Sequence, residues 1–153
     1  MTTIHFVRHG KVLNLNPLGL YDGRLSGFHL SKSRRAQALT AANKLQKEQI
    51  VAIFSNPMKR TLETADLISR QLPKLPIIKT DLLNEAKTPY DGQPLSVIEG
   101  RNWDVYTGNR PLYERLEDVL NCTQEFTRQI RTEYPGRKII ATTHGDIVAC
   151  MIL

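Results

Sequence analysis

Two histidines each follow an apolar run and precede a glycine, a position from which a neutral imidazole could attack a phosphoryl group. His9 follows the apolar run Ile4–Val7 in the sequence VRHG, and His144 repeats the pattern in the sequence TTHGD. The guanidinium of Arg8 would neutralise the charge of the phosphoryl group, and the glycine after each histidine leaves space for a substrate. Either motif alone also fits a structural or surface histidine. Together they indicate a phosphate site.

Two further charged residues follow other apolar runs. Arg60, in the sequence SNPMKRTLETA, lies in the first turns of a predicted helix, where an anion gains both backbone donors and a bidentate guanidinium. Glu85, in the sequence LLNEA after a third predicted strand, could supply a proton to a departing oxygen. Taken singly, Arg60 also fits a solvated helix face and Glu85 a solvated loop.

The elements that must position these side chains alternate between strand and helix. Apolar runs predict strands at 4–7, 50–54, 75–79 and 138–142, and helices are predicted at 31–46, 57–72, 96–103, 112–134 and from 145 onward. This order predicts an α/β fold, a three-layer sandwich whose mostly parallel sheet is covered by helices on both faces. Ligands of such folds gather at the carboxyl ends of the strands, where Arg8, His9 and His144 are expected.

The composition is that of an ordinary folded domain with a basic surface. Of the 153 residues, 41% are apolar and 24% are charged, which excludes wholesale disorder and predicts one domain over residues 1–153. The net charge of +6 favours an anionic partner. Four Phe, five Tyr and one Trp do not interleave with a basic stripe, so no nucleic-acid partner is expected.

Several other functional classes are disfavoured by missing patterns. The sequence contains no GxxxxGK[ST] loop, no GxGxxG fingerprint and no cluster with metal-ligand spacing, so no cofactor and no metal are expected. Cys122 and Cys150 form no CxxC pair, so neither a zinc site nor redox chemistry is indicated by the cysteines. The longest apolar run, 147–153, is too short to span a membrane, and the first residues lack a signal-peptide core. No membrane partner and a cytoplasmic location are therefore expected.

Five segments in order resemble the histidine phosphatase superfamily, the phosphoglycerate mutase-like group. They are FVRHG, GRLSGFHLS, SNPMKRTLETA, LLNEA and ATTHGD, and together they extend over nearly the whole chain. The resemblance implies that His9 is the nucleophile and becomes a phosphohistidine. It implies that Arg8, Arg60 and His144 hold the phosphoryl oxygens and that Glu85 is the general acid.

The chain departs from relatives of this family at two places. Relatives often carry a phosphate-binding asparagine six residues after the nucleophile, where this chain has Leu15, and Asn16 is taken as the candidate for that role. Relatives also continue beyond the helix that follows the second His-Gly, so we expect that a natural continuation is missing after Leu153. The alternative is that this apolar end is buried against the domain or a partner chain. Arg24, in the second segment, is a candidate for contact with the substrate.

The expected function is a metal-independent phosphatase that hydrolyses a small phosphomonoester through a phosphohistidine at His9. One alternative is a phosphoglycerate mutase-type phosphotransferase, although those relatives are longer. Another is a protein phosphohistidine phosphatase, against which the sequence His144-Gly145-Asp146 counts. A binding module that has lost catalysis is a third, disfavoured because every residue of the expected site is intact.

Overall fold

The strands and helices of this chain alternate, as its apolar runs predict. The computed structural model describes residues 1–10, 12, 19–73, 75–108 and 112–151. The strands are β1 (Thr3–Arg8), β2 (Ile50–Ser55), β3 (Ile77–Lys79) and β4 (Lys138–Thr143). The α-helices are α1 (Lys32–Leu45), α2 (Lys59–Ser69), α3 (Leu95–Glu99), α4 (Leu116–Glu133) and α5 (Gly145–Cys150), and a 3₁₀ helix at Asp81–Leu83 follows β3. None of these helices combines the length and apolarity needed to cross a bilayer.

The strands form one sheet in the order β1-β4-β2-β3, and every neighbouring pair is parallel. Backbone hydrogen bonds extend past the strand ends. The N–H of His9 donates to the carbonyl oxygen of Thr143 at 2.9 Å. The N–H of Asn56 donates to the carbonyl oxygen of Thr142 at 3.3 Å. His9, His144 and Asn56 therefore leave three neighbouring strands at the same edge of the sheet.

Helices cover both faces of the sheet, because alternate residues of a strand point to opposite sides. On one face, Ile53 and Ile140 pack with Ile68 of α2. On the other face, Phe54 packs edge-on against Phe126 of α4, with ring centroids 5.6 Å apart. The predicted α/β sandwich with a parallel sheet and helices on both faces is confirmed.

Two elements are shorter than predicted for identifiable reasons. β3 begins at Ile77, two residues later than expected, and Pro76 before it lacks an N–H, so it contributes only its carbonyl oxygen, which accepts from Ile53 N–H at 3.2 Å. Helix α3 stops at Glu99 instead of reaching residue 103. Asn102 and Trp103 have φ angles of 52° and 63°, in the left-handed region that ends a right-handed helix.

Helix α4 begins at Leu116, four residues later than the apolar pattern indicates. The backbone N–H of Arg115 donates to the carboxylate of Asp118 at 2.8 Å, which is a capping interaction at the helix start. Just before it, the backbone N–H of Glu114 donates to the carbonyl oxygen of Lys87 at 2.9 Å. This contact draws residue 114 toward the loop after the 3₁₀ helix and out of the helix.

The turn after β1 passes very close to helix α1. A Cβ placed on Gly10 would lie 2.5 Å from the Cβ of Arg34, closer than any tolerated contact. Arg34 Cβ is attached directly to the helix backbone and cannot swing away. Glycine at position 10 therefore sets how closely α1 approaches the segment that carries His9.

We expect Gly10→Ala to lower the free energy of unfolding by about 1–3 kcal/mol, because the helix must shift to admit the methyl group. Urea unfolding followed by circular dichroism measures the loss. Gly27→Ala is the matched control, since a Cβ there meets nothing within 4 Å, and its effect should stay within about 0.5 kcal/mol. Equal stability of the two variants would contradict the close approach.

Candidate active site

His9 presents one ring nitrogen, Nε2, to the strand-end edge without a hydrogen bond to any of the described residues. Its Nδ1 lies 2.7 Å from the carbonyl oxygen of Gly10. A carbonyl only accepts hydrogen bonds, so Nδ1 carries the proton and Nε2 keeps its lone pair. Burial and the neighbouring His144 lower the pKa of His9 from 6.5 to about 4. The imidazole is therefore neutral near pH 7, the form that a nucleophile requires.

His144 lies next to His9 and is fully buried, with the two ring centroids 4.9 Å apart. Its Nδ1 lies 3.0 Å from Oε2 of Glu85, and its Nε2 lies 2.7 Å from Nδ2 of Asn56. Because an amide nitrogen only donates, Nε2 is the acceptor and Nδ1 carries the proton. Burial, reinforced by the charge of Arg60, lowers the pKa of His144 to about 3.

Asn56 orients His144, a role that the sequence analysis missed. The backbone N–H of Met58 donates to Asn56 Oδ1 at 3.0 Å, and the Thr61 hydroxyl donates to the same oxygen. The amide nitrogen is thereby turned toward His144 Nε2 and toward Oδ1 of Asn84, 3.1 Å away. The available signal was the position of Asn56, directly after a strand and at the edge shared by both histidines.

Arg60 brings a positive charge into the interior beside these rings. Its side chain is 0% exposed. The guanidinium donates to the carbonyl oxygens of Leu25, at 2.9 Å, and Gly23, and to Oε2 of Glu85 at 2.7 Å. Its Nε forms an ion pair with Asp22 at 3.6 Å but has no hydrogen-bond acceptor among the described residues. One donor of a buried cation thus remains unused.

Glu85 lies between Arg60 and His144, with its carboxyl group largely withdrawn from water. Burial raises the pKa of Glu85, and the positive charge of Arg60 opposes that rise. The net direction is upward, which favours the protonated acid. A protonated carboxyl group can donate a proton to an oxygen that leaves a phosphorus atom.

Arg8 is exposed at the end of β1, and its guanidinium lies over Gly145. A Cβ at position 145 would come within 2.9 Å of Arg8 Cζ, so the glycine lets this cation approach the turn that carries His144. The structure therefore brings Arg8 to the same edge as His9, Arg60 and His144. Asn16, the fourth candidate phosphate contact, falls outside the described residues.

A second half-buried carboxyl group, Asp146, was also missed from the sequence. Its Oδ2 accepts a hydrogen bond from the hydroxyl of Tyr106 at 3.0 Å and another from the backbone N–H of Ala86 at 3.4 Å. Burial and the nearby Glu85 raise the pKa of Asp146. It anchors the backbone next to Glu85 from the side of helix α5.

The site also contains a set of groups able to ligate a metal ion. Ligand atoms of His9, Glu85 and His144 all lie within 4.8 Å of one another. Two imidazoles and a carboxylate are ordinary zinc ligands. Metal-ligand spacing along the chain does not predict this cluster, because its members are far apart in sequence. Independence from metal remains a prediction.

Comparison with known proteins identifies the class. Residues 4–153 match the sequence profile of the histidine phosphatase superfamily (branch 1). The chain belongs to that superfamily, so the resemblance inferred from its motifs is confirmed.

Individual relatives support the same assignment. The protein described as uncharacterized protein Rv0525, from Mycobacterium tuberculosis, is 41% identical over 150 residues, covering 94% of this chain and 73% of that protein. Phosphoserine phosphatase 1 of Hydrogenobacter thermophilus is 27% identical, covering 94% of this chain and 71% of the relative. The structure of Bacillus stearothermophilus YhfR superposes with a TM-score of 0.84 at 20% identity, covering 99% of this chain and 78% of that one. The relatives of this chain thus include a phosphatase, and the shared fold agrees with membership of the superfamily.

The depressed pKa of His144 makes stability depend on pH. An unfolded histidine titrates near 6.5, whereas folded His144 titrates at about 3. Between these values the unfolded chain binds the additional proton, so stability falls as the pH drops below about 6.5, by up to about 1.4 kcal/mol per pH unit. We expect the wild type to lose stability faster than His144→Gln between pH 7.5 and 5 in urea unfolding. If the free energy of unfolding fell equally with pH in the wild type and in His144→Gln, the burial of a neutral imidazole would be contradicted.

Proposed function

We propose that this chain hydrolyses a small phosphomonoester through a phosphohistidine at His9, without a metal ion. The observation that carries the proposal is the Nε–H of the fully buried Arg60, which has no acceptor among the described residues. The charge of Arg60 acts on a neutral histidine, His9, whose Nε2 keeps its lone pair. A buried guanidinium donor without an acceptor is unfavourable, and a phosphoryl oxygen would satisfy it. Arg8 and the +6 net charge of the chain also favour an anionic substrate.

In the first step, Nε2 of His9 attacks phosphorus, and the bond between phosphorus and the leaving oxygen breaks. Glu85 gives its proton to that oxygen, so that a neutral alcohol departs. Arg8 and Arg60 hold the phosphoryl oxygens and offset the negative charge of the transition state. His144 joins them by sharing its Nδ1–H between Glu85 and a phosphoryl oxygen. The raised pKa of Glu85 and the lowered pKa of His9 both favour the protonation states that this step needs.

In the second step, the oxygen of a water molecule attacks the phosphorus of the phosphohistidine, while the Glu85 carboxylate takes a proton from that water. The bond between phosphorus and Nε2 breaks, and inorganic phosphate is released. His9 returns to its neutral form and Glu85 to its acid form, so both groups are ready for another cycle.

The first test replaces the nucleophile. We expect His9→Ala to lower turnover of p-nitrophenyl phosphate by roughly 10³-fold or more, and to abolish acid-labile labelling of the protein by a ³²P substrate. His29→Ala, which changes an exposed imidazole, is the control and should keep full activity.

All assays of this set are run with and without a chelator. Full activity after exhaustive EDTA treatment is the expected result. Loss of activity that Zn²⁺ restores would mean that His9, Glu85 and His144 act as metal ligands, and would overturn the proposed mechanism.

The second test addresses the general acid. Glu85→Gln cannot donate a proton, so we expect about 100-fold or more loss of kcat/KM on phenyl phosphate but a much smaller loss on p-nitrophenyl phosphate, whose leaving group departs without protonation. Steady-state kinetics on the two esters measures the difference. Equal losses on both would make Glu85 a structural residue.

A further inference from the structure

An ion pair outside the proposed catalytic set touches the loop that carries Glu85. Arg24 Nε donates to the backbone carbonyl oxygen of Glu85 at 2.5 Å. The Nη2 atom of the same guanidinium bonds both carboxylate oxygens of Glu114, at 2.8 and 2.6 Å. One planar side chain thus links the backbone at Glu85 to the residue that precedes the N-cap of helix α4.

Glu114 holds the same loop two residues further on. The backbone N–H of Lys87 donates to Glu114 Oε2 at 2.7 Å, and the backbone N–H of Glu114 donates to the carbonyl oxygen of Lys87 at 2.9 Å. On the other side, the backbone N–H of Arg24 donates to the carboxylate of Asp91 at 3.3 Å. Together these contacts fix both ends of the segment 85–87.

The segment needs such contacts because it has no regular secondary structure. Residues 84–88 belong to no helix or strand, so no ladder of backbone hydrogen bonds holds Glu85. The Glu85 carboxyl group must nevertheless reach both Arg60 and His144, at 2.7 and 3.0 Å. Its position depends on where its backbone is held.

We propose that Arg24, together with Glu114, is a positioning residue that sets the Glu85 carboxyl group for proton transfer. The proposal rests on the role of Glu85 as general acid in the function proposed above. Arg24 acts through the backbone of Glu85 and not on the substrate, which differs from the substrate contact expected from the sequence.

The partial solvent exposure of Arg24 and Glu114 distinguishes a positioning role from a contribution to folding stability. The two side chains are each 29% exposed, beside a cavity of about 250 Å³ that Asn84 and Cys122 also line. Partly solvated ion pairs contribute little to folding. Proton transfer, by contrast, is sensitive to displacements of about 1 Å in a reacting group. Loss of the pair should therefore affect catalysis more than unfolding.

The experiment compares Arg24→Gln and Glu114→Gln with the wild type on phenyl phosphate and p-nitrophenyl phosphate. We expect each variant to lose about tenfold more kcat on phenyl phosphate than on p-nitrophenyl phosphate, a fraction of the general-acid effect. KM should stay within about twofold, since kcat carries the defect. Arg24→Lys, which keeps one charged donor, should recover part of the loss.

Two further variants make the result specific. Arg70→Gln removes a more exposed Arg–Asp ion pair, with Asp66 at 2.7 Å near the end of α2, and should leave turnover of both esters unaffected. In a Glu85→Gln background, Arg24→Gln should add no further selectivity between the esters, because the proton donor is already absent.

Three outcomes would overturn the proposal. They are equal losses on both esters, a rise in KM alone, and an additive selective loss in the Glu85→Gln background. Failure of the general-acid role itself is recognised separately, since Glu85→Gln alone would then show no preference between the esters.

Discussion

A full positive charge is enclosed at Arg60, and the site is arranged around the partners that this charge requires. Burying a guanidinium is costly unless acceptors surround it, and removing one partner of a buried pair typically costs about 3–5 kcal/mol. The acceptors come from the loop before α1, at Gly23 and Leu25, and from Glu85 after the 3₁₀ helix. Arg60 therefore ties two irregular segments to the start of helix α2.

The same charge also affects the protonation of the neighbouring groups. Burial and Arg60 both disfavour a second cation nearby, which keeps His9 and His144 neutral. The carboxyl group of Glu85 is withdrawn from water strongly enough that its pKa rises even beside the guanidinium. The lowered pKa of His9 favours a neutral nucleophile and the raised pKa of Glu85 favours a protonated acid, the combination that acid-assisted phosphoryl transfer requires.

Most of the fold was predictable because it depends on local patterns. Apolar runs of four or five residues indicated the strands, and their alternation with helices predicted the parallel three-layer arrangement. Boundaries were less accurate where a distant contact decided them. Helix α4 starts late because Glu114 bonds the backbone of Lys87, and nothing in the residues around 114 shows that partner.

Residue type and local position by themselves identified His9, His144, Arg60 and Glu85 as candidates, because each follows a predicted strand or begins a predicted helix. Only the tertiary structure assigned Asn56 to the Nε2 of His144 and Arg24 to the backbone of Glu85. The same holds for the unused donor of Arg60 and for the proton positions on both imidazoles. The contact of Asn56 with His144 depends on the pairing of strands β2 and β4, which brings together residues 88 positions apart, and Arg24 meets Glu85 across 61 positions of the chain. Hydrogen-bond direction and desolvation are properties of that assembled edge, so no local pattern in the chain encodes them.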